Sequence, residues 1–196
     1  MIELSGVLAA ARQVQQLCRD HGWRFCFIGG VAVQRWGEPR FTQDVDLTLL
    51  TGFGGEEAYV DALLSGLSPR RADARAFALA HRVLLARTKD GVDVDVALGA
   101  FPFEERSVAR ATPWSWAGGS LLTCSAEDLL VLKAFAGRDR DWADVESILI
   151  RQHGGLNLDL VRSELAPLLE LKQETEASAR LETQIASVER RLAEGR

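Results

Sequence analysis

The spacing of the hydrophobic positions changes twice along the chain. Between Leu4 and Cys18 apolar residues recur every three or four positions and stop at Gly22, which predicts an amphipathic helix that ends at a glycine. From residue 24 to about residue 123 the apolar runs become short, and several alternate with polar residues, as in strands with one buried face. From Ser125 onward the helical spacing returns.

The middle region predicts a sheet with flanking helices. Two apolar runs, 82–87 and 92–98, flank the sequence Thr-Lys-Asp-Gly, whose Asp-Gly pair favours a tight hairpin. The sheet is therefore expected to be at least partly antiparallel. The polar segment 69–80 contains several arginines and matches no clear pattern. Further strands are expected at 24–28 and 44–50 and within WSWAGGSLLTC, and further helices at 31–36, 56–64 and 103–110.

The carboxyl-terminal region predicts helices alone. They are expected at 125–136, 139–152 and 157–171, with a charged helix from residue 174 onward. The fold class that this order favours is α+β, a mixed and partly antiparallel sheet flanked by helices, followed by a C-terminal helical bundle. We expect a core domain over residues 1–124 and a helical region over residues 125–196 that packs on it.

Composition restricts the class of protein. The 196 residues are 47% hydrophobic and 26% charged, as in globular domains. The apolar runs are shorter than the roughly 20 residues of a membrane-spanning helix, and the first residues do not resemble a secretion signal, so a cytoplasmic protein without a membrane partner is expected. Cys18, Cys26 and Cys124 stand among apolar neighbours and are expected to be buried free thiols.

The net charge of −5 gives no general attraction to nucleic acid. No DNA partner is expected, and any contact with RNA must use a local patch. The densest basic stretch holds Arg70, Arg71, Arg75 and Arg82, which form either a solvated loop or a contact for the acceptor end of tRNA.

Two adjacent glycines and two aspartates in FIGGVAVQRWGEPRFTQDVDLTLL are the first candidate site. Gly29 and Gly30 stand where a strand meets a helix, so the backbone can approach an anion closely, although a tight turn is the simpler explanation of the glycine pair taken alone. Asp44 and Asp46 are two apart on a strand and project in the same direction, which suits Mg²⁺ as well as a solvated strand face.

A third carboxylate is available in the sequence V-D-V-D-V. Asp93 and Asp95 share one face of the predicted hairpin strand, and either can complete a two-metal site and help to deprotonate an attacking hydroxyl. Asp95 is preferred because it lies further into the apolar run, whereas Asp93 lies near the turn.

The glycine pair, the D-x-D strand and the later strand carboxylate together resemble the nucleotidyltransferase superfamily typified by DNA polymerase beta. The later stretch CSAEDLLVLKAFAGRDRDWADVESIL is similar to the second half of the AbiEii/MenT-type nucleotidyltransferase toxins. The small size of this chain is its main departure from that family. The matching positions are Gly29, Gly30, Asp44, Asp46 and Asp95, and then Ser125, Glu127, Lys133, Arg138, Arg140, Asp141 and Asp144.

This resemblance implies roles for four further residues. Lys133 is implied to contact the nucleotide phosphates, and Asp144 to belong to the active site. Arg138 and Arg140 are implied to bind the triphosphate or to hold the carboxylates in place. From the residues alone, Lys133 can also extend from a helix edge to solvent, and Asp144 can form a surface ion pair with Arg140 at i−4.

The function implied by the resemblance is that of a Mg²⁺- or Mn²⁺-dependent nucleotidyltransferase toxin. Asp44, Asp46 and Asp95 would hold the metal, and Thr42 and Gln43, which precede the aspartates, would reach the phosphates of the NTP. The implied acceptor is the 3′ end of tRNA, and a small cognate antitoxin protein is the implied partner. The alternatives are an antitoxin that AMPylates a partner protein, a drug-modifying nucleotidyltransferase, a non-catalytic nucleotide-binding module and a structural subunit.

Overall fold

The computed structural model describes residues 4–195 and contains a mixed sheet with helices around it. Helices and strands follow the order of the sequence pattern. The elements are α1 (Leu4–Asp20), β1 (Phe25–Phe27), α2 (Gly29–Trp36), β2 (Asp44–Leu50), α3 (Glu56–Gly66), β3 (Ser68–Pro69), α4 (Ala74–His81), β4 (Val83–Arg87), β5 (Asp93–Gly99), α5 (Pro102–Arg110), β6 (Thr112–Trp116), β7 (Gly119–Thr123), α6 (Ala126–Ala136), α7 (Asp139–Arg151), α8 (Leu158–Lys172) and α9 (Glu176–Ala193).

The strands form one sheet in the order β3-β4-β5-β2-β1-β7-β6. Strand β2 pairs with β5, and β1 with β7, in parallel, whereas the other neighbours are antiparallel. The predicted hairpin is present as β4 and β5, and WSWAGGSLLTC forms the hairpin of β6 and β7. The expectation of an α+β fold with a mixed, partly antiparallel sheet is therefore confirmed.

Alternation along β2 and β5 gives each strand one core face and one half-exposed face. Val45, Leu47, Val94 and Val96 are completely buried, while the aspartates between them are partly exposed. Removing a side chain such as Leu47 from water contributes roughly 1.5–3 kcal/mol, so this face fixes which side of the strands turns inward. A slip of one residue in strand register would bury the carboxylates. That register is disfavoured because burying an unpaired charge costs much free energy.

The chain divides into two compact units. The first unit comprises the chain up to Val31 together with Phe41–Cys124, and the second comprises Ala32–Arg40 together with the chain from Ser125 onward. The second unit is thus discontinuous in sequence. The division into domains 1–124 and 125–196 stays a prediction.

Helix ends of the second unit follow simple capping rules. The Ser125 side chain accepts a hydrogen bond from the Asp128 N–H at the start of α6, and Gly137 ends that helix in the left-handed conformation. The Asn157 side chain caps α8 in the same way. Inside this unit α6 packs against α7, α8 and α9, and its core includes Leu129, Leu130, Trp142, Val145, Ile148, Val161, Leu165, Leu181 and Ile185.

The largest departure from the sequence pattern is segment 69–80. It contains the end of β3 and most of helix α4, whose buried positions, Ala74 and Ala78, are too small to give a strong periodic signal. Arg82 is not part of β4, because it ends α4 in the left-handed conformation with φ 55°.

The cysteine prediction is confirmed. All three cysteines are buried and outside any disulfide, and burial raises the pKa of Cys18 to about 12. Across residues 4–195, the helices all fall short of the length and apolar character needed to span a bilayer.

Candidate active site

Four aspartates form a patch on the partly exposed face of β2 and β5. The two strands are parallel and in register, with Asp44 opposite Asp93 and Asp46 opposite Asp95. Neighbouring strands lie about 4.8 Å apart, so opposed carboxylates are close enough to repel each other strongly. These four residues are called the aspartate surface below. The predicted grouping of Asp44, Asp46 and Asp95 on one surface is what the register produces.

The glycine pair allows the chain to pass directly beside this surface. Gly29 has φ +58°, and a Cβ atom there would lie 2.0 Å from Asp46 Oδ2. The Gly30 N–H donates a long hydrogen bond, 3.4 Å, to the same oxygen. A side chain at either glycine would therefore displace a group of the site. Close packing alone accounts for both glycines, and binding of a phosphate there stays a prediction.

Thr42 lies between Gly30 and Asp44 and contacts both. The Thr42 side chain is buried, and a Cβ atom on Gly30 would lie 2.2 Å from its hydroxyl oxygen. This hydroxyl donates a hydrogen bond of 3.1 Å to Asp44 Oδ1. Thr42 thus orients a carboxylate of the aspartate surface, whereas its neighbour Gln43 is exposed to solvent.

Two arginines supply positive charge to the β5 side of the surface. Arg87 Nε lies 2.6 Å from Asp93 Oδ1. One terminal nitrogen of Arg70 lies 3.0 Å from Asp93 Oδ2 and 3.0 Å from Asp95 Oδ1. The Arg70 nitrogen is not aligned for a hydrogen bond to Asp95, because that buried oxygen has no hydrogen-bond partner in the described structure. The contact between Arg70 and Asp95 is consequently electrostatic rather than directional.

The pKa of Asp95 is higher than that of an ordinary surface carboxylate. Burial raises the pKa of Asp95, the nearby Arg70 guanidinium opposes that increase, and the Asp44 and Asp93 charges add to it. A carboxylate with a raised pKa is a better proton acceptor than one at its ordinary value. A role for Asp95 as the general base stays a prediction.

The aspartate surface fits a hard divalent cation. Mg²⁺ binds through one or two carboxylates together with substrate phosphates, and the orphaned Asp95 oxygen beside Asp46 is an acceptor that such an ion would satisfy. Among residues 4–195 no three carboxylate, imidazole or thiol groups converge as a ready-made metal site. The aspartate surface therefore suits a metal ion whose remaining ligands are oxygens of the substrate.

A second group of charges lies within the helical unit around Lys133. The Lys133 ammonium is 6% exposed and lies 3.1 Å from Asp141 Oδ1 and 2.8 Å from Asp144 Oδ2. Two arginines cover the other oxygens, with Arg138 Nε at 2.6 Å from Asp141 and Arg40 Nε at 2.6 Å from Asp144. These five residues are called the lysine network below.

Both carboxylates of the lysine network are held in the charged form. Burial opposes ionisation of Asp141, but hydrogen bonds from Arg138 and Lys133 outweigh it and lower its pKa. Burial likewise opposes ionisation of Asp144, and the hydrogen bonds of Arg40 and Lys133 lower its pKa. Buried charges persist only when they are paired in this way.

The surroundings of Asp144 and Lys133 differ from the simple alternatives for an isolated helix. Asp144 is buried and bonded to Arg40 through both of its oxygens, at 2.6 and 2.8 Å, rather than paired at the surface with Arg140, which is exposed. Lys133 does not extend to solvent, since both of its partners are buried. The implied catalytic and nucleotide-binding roles of Lys133, Asp144 and Arg138 stay predictions.

The basic stretch 70–82 carries little unopposed charge. Arg71 pairs with Asp73, Arg75 pairs with Glu57 and Asp61, and Arg82 pairs with Glu56. A contact with RNA through this stretch would require these exchangeable surface pairs to open.

Sequence comparison identifies the family. The family model described as nucleotidyl transferase AbiEii toxin, type IV toxin–antitoxin system, matches residues 16–194. The chain belongs to the AbiEii family. It is therefore a nucleotidyltransferase of the toxin type, and the type IV system implies a cognate antitoxin. No curated protein matches the sequence of this AbiEii chain.

Solved structures support the fold of the AbiEii chain. A crystal structure of an antigenic nucleotidyltransferase-like protein from Paracoccidioides brasiliensis is similar with a TM-score of 0.53 and 16% identity, over 92% of this chain and 94% of the other. The antibiotic-resistance factor ANT(2″)-Ia, in complex with adenylyl-2″-tobramycin, is similar with a TM-score of 0.52 and 16% identity, over 84% of this chain and 97% of the other. At these identities the similarity shows a nucleotidyltransferase fold.

The sequence does not predict that Arg40 and Arg70 belong to these charge groups. Arg40 stands in the connection between α2 and β2, 104 residues from Asp144, and no periodic pattern marks it. Arg70 is part of the basic stretch named from the sequence, but its place beside Asp93 and Asp95 depends on the pairing of β3, β4 and β5. A single basic residue in a short connection is the signal that could have found Arg40.

Proposed function

We propose that this protein is a metal-dependent nucleotidyltransferase toxin that transfers nucleotides from an NTP to the 3′ acceptor end of tRNA. The observation that carries the proposal is the aspartate surface beside the Gly29–Gly30 turn. Transfer to that end would block aminoacylation and therefore translation, which stops growth. The proposed compartment is the cytoplasm, where NTPs and tRNA are found.

The proposed roles divide between phosphate binding and metal binding. Asp44, Asp46 and Asp95 hold Mg²⁺ or Mn²⁺, which neutralises charge on the triphosphate when it is bound. Gly29 and Gly30 bring backbone N–H groups near the phosphates. Thr42 holds Asp44 in position, and the exposed Gln43 side chain is accessible to a phosphate oxygen.

The proposed step is a displacement at the α-phosphorus of the NTP. The terminal ribose hydroxyl of the acceptor forms the new O–P bond, and its proton passes to the Asp95 carboxylate. The bond between the α-phosphorus and the bridging oxygen breaks, and pyrophosphate leaves with the electron pair. Asp95 is proposed for this role because it lies opposite Asp46 on the aspartate surface.

The roles proposed for the lysine network follow from how accessible its members are. Arg138 is its most accessible cation, with 67% of the side chain exposed, so it can reach a phosphate while α7 stays in place. Lys133 is buried and already pairs with two carboxylates, so it is less accessible to a phosphate than Arg138. We therefore propose Arg138 as a nucleotide ligand and keep Lys133 and Asp144 as predicted active-site residues.

The partners follow from the family and from charge. The proposed antitoxin is a small protein that neutralises the toxin activity. The proposed acceptor is RNA rather than DNA, in a protein whose net charge of −5 requires local contacts for either.

The decisive experiment is a transfer assay with the purified protein. Each α-³²P-labelled NTP is incubated with Mg²⁺ and total tRNA, and label is followed in RNA and in protein. Label at the tRNA 3′ end that requires Asp46, and that persists in Asp90→Asn, supports the proposal. Asp90 is the matched control, because it is an exposed aspartate on the β4–β5 turn outside the aspartate surface.

The remaining outcomes separate the alternatives. With a candidate partner protein added to the assay, label in that protein would favour an AMPylating antitoxin. With an aminoglycoside added, label in the aminoglycoside would favour a drug-modifying enzyme. Nucleotide binding by calorimetry without any transfer would leave a non-catalytic module, and neither binding nor transfer would leave a structural subunit. Each of these results overturns the tRNA proposal.

A further inference from the structure

The Arg70 side chain lies against Asp93 and Asp95 of the aspartate surface. Its backbone is fixed directly after β3, where the Arg70 N–H donates a hydrogen bond of 3.1 Å to the Leu85 carbonyl on β4. Its side chain is 20% exposed, so most of it is held against the protein. The Arg70 guanidinium is therefore held in place by the edge of the sheet and does not move freely in solvent.

One nitrogen of Arg70 serves two carboxylates at equal distance. It lies 3.0 Å from oxygens of both Asp93 and Asp95, without an aligned hydrogen bond to the Asp95 oxygen. A metal ion also binds carboxylate oxygens mainly by charge. An electrostatic contact of this kind can be exchanged for a metal without the loss of a directional hydrogen bond.

The second arginine, Arg87, makes Asp93 and Asp95 respond differently to a movement of Arg70. Arg87 contacts Asp93 and remains its partner if Arg70 moves. For Asp95, the cationic side chain in contact within residues 4–195 is that of Arg70. Loss of Arg70 would thus leave Asp95 as the acceptor that most needs a replacement cation.

We infer that Arg70 is a built-in counter-cation that competes with the catalytic metal for Asp95. This inference rests on the proposed metal-dependent function and adds a regulatory residue to the same site. Without metal, Arg70 relieves repulsion among the four carboxylates. When a metal binds, Arg70 releases Asp95 and keeps its contact with Asp93, so the protein binds metal more weakly than the carboxylates alone would.

The test measures Mn²⁺ affinity of the metal-free, full-length protein, with free Mn²⁺ followed by electron paramagnetic resonance. Arg70→Gln is expected to lower the dissociation constant about tenfold, because a unit charge a few ångströms away is removed at a partly screened site. The matched control is Arg87→Gln, which removes the same charge from an arginine that contacts Asp93 alone. It is expected to change the dissociation constant less than about twofold, since its side chain is half exposed.

A second variant makes the result specific to Asp95. Adding Asp95→Asn to Arg70→Gln should remove the tenfold gain, and urea unfolding of each variant establishes that the fold is intact. Equal effects of Arg70→Gln and Arg87→Gln, or weaker binding by Arg70→Gln, would overturn the inference. If wild type binds Mn²⁺ and transfers nucleotides, that failure leaves the proposed function standing. Absence of Mn²⁺ binding in wild type and in all variants would overturn both.

Discussion

The aspartate surface and the lysine network use the same residue types in opposite ways. The aspartate surface has four carboxylates and two arginines, is partly exposed, and leaves one buried oxygen without a hydrogen bond. The lysine network has two carboxylates and three cations, and its two carboxylates are fully buried and multiply bonded. One group has negative charge in excess, and the other has positive charge in excess.

This difference separates a surface with unbalanced negative charge from a network whose carboxylates are paired within the protein. Excess negative charge at a partly exposed surface is costly unless a cation binds, which is how a metal site is prepared. A buried network whose groups are all paired has no such need, and breaking it leaves an uncompensated charge. The aspartate surface should therefore control activity, whereas the lysine network should control stability first.

The largest expected effect is on activity at the aspartate surface. Asp46→Asn should lower the rate of nucleotide transfer on the order of a thousandfold, because it removes a carboxylate that is proposed to bind the metal and that lies opposite Asp95. The free energy of unfolding should stay the same or increase, since repulsion with Asp95 is relieved. Single-turnover transfer assays and urea unfolding measure the two quantities. A strong loss of stability with retained transfer would remove the contrast between the two regions.

The next effect is on stability in the lysine network. Asp144→Asn should lower the free energy of unfolding by about 3–5 kcal/mol, because Lys133 and Arg40 would lose a buried countercharge. The control on the same helix is Glu146→Gln, whose partner is Arg191 at the surface and whose expected cost is about 0–1 kcal/mol. An Asp144→Asn protein that is as stable as wild type but inactive would instead assign Asp144 to the chemistry.

A smaller effect should appear on acidification. The folded pKa values of Asp141 and Asp144 lie below the unfolded value of about 3.9, so their stabilising contribution is complete above that pH. It is lost as the pH falls below 3.9 and through the lowered pKa values of the folded state. Asp141→Asn should therefore flatten the decrease in unfolding free energy between pH 5 and pH 3, relative to wild type, in urea titrations at each pH. An unchanged slope would show that the network is not held by these charges.

The sequence predicts the contents of the aspartate surface better than those of the lysine network. Alternation of period two places Asp44 and Asp46 on one strand face and Asp93 and Asp95 on another, and this rule needs no tertiary information. The parallel register that brings the two pairs together depends on packing of the whole sheet, which local patterns do not encode. The hairpin of β4 and β5 could be predicted from the sequence because its Asp-Gly turn is a local signal.

Partners in the lysine network are distant in sequence and therefore hidden. A helical pattern shows that Lys133 interrupts an apolar helix, but it cannot show that Arg40 binds Asp144 from another part of the chain. Local rules favoured a surface pair between Asp144 and Arg140, because i,i+4 pairs are the commonest neighbours on a helix. Burial of α7 overrides that local preference, since Asp144 lies on its inner face.

The smallest effect concerns Thr42, which tests how precisely the aspartate surface is positioned. Thr42→Val removes the hydroxyl that donates to Asp44 and keeps the shape of the side chain beside Gly30. One neutral-to-charged hydrogen bond contributes about 1.5–3 kcal/mol when buried, but Asp44 is partly exposed and water can replace the donor, so a weakening of nucleotide binding by about fivefold is expected. Calorimetry with a non-hydrolysable NTP measures the affinity, and urea unfolding should show a stable protein. Thr42→Ser should restore binding, because it keeps the hydroxyl. Unchanged affinity in Thr42→Val would mean that Asp44 is oriented without this hydroxyl and that Thr42 serves only to pack against the glycine turn.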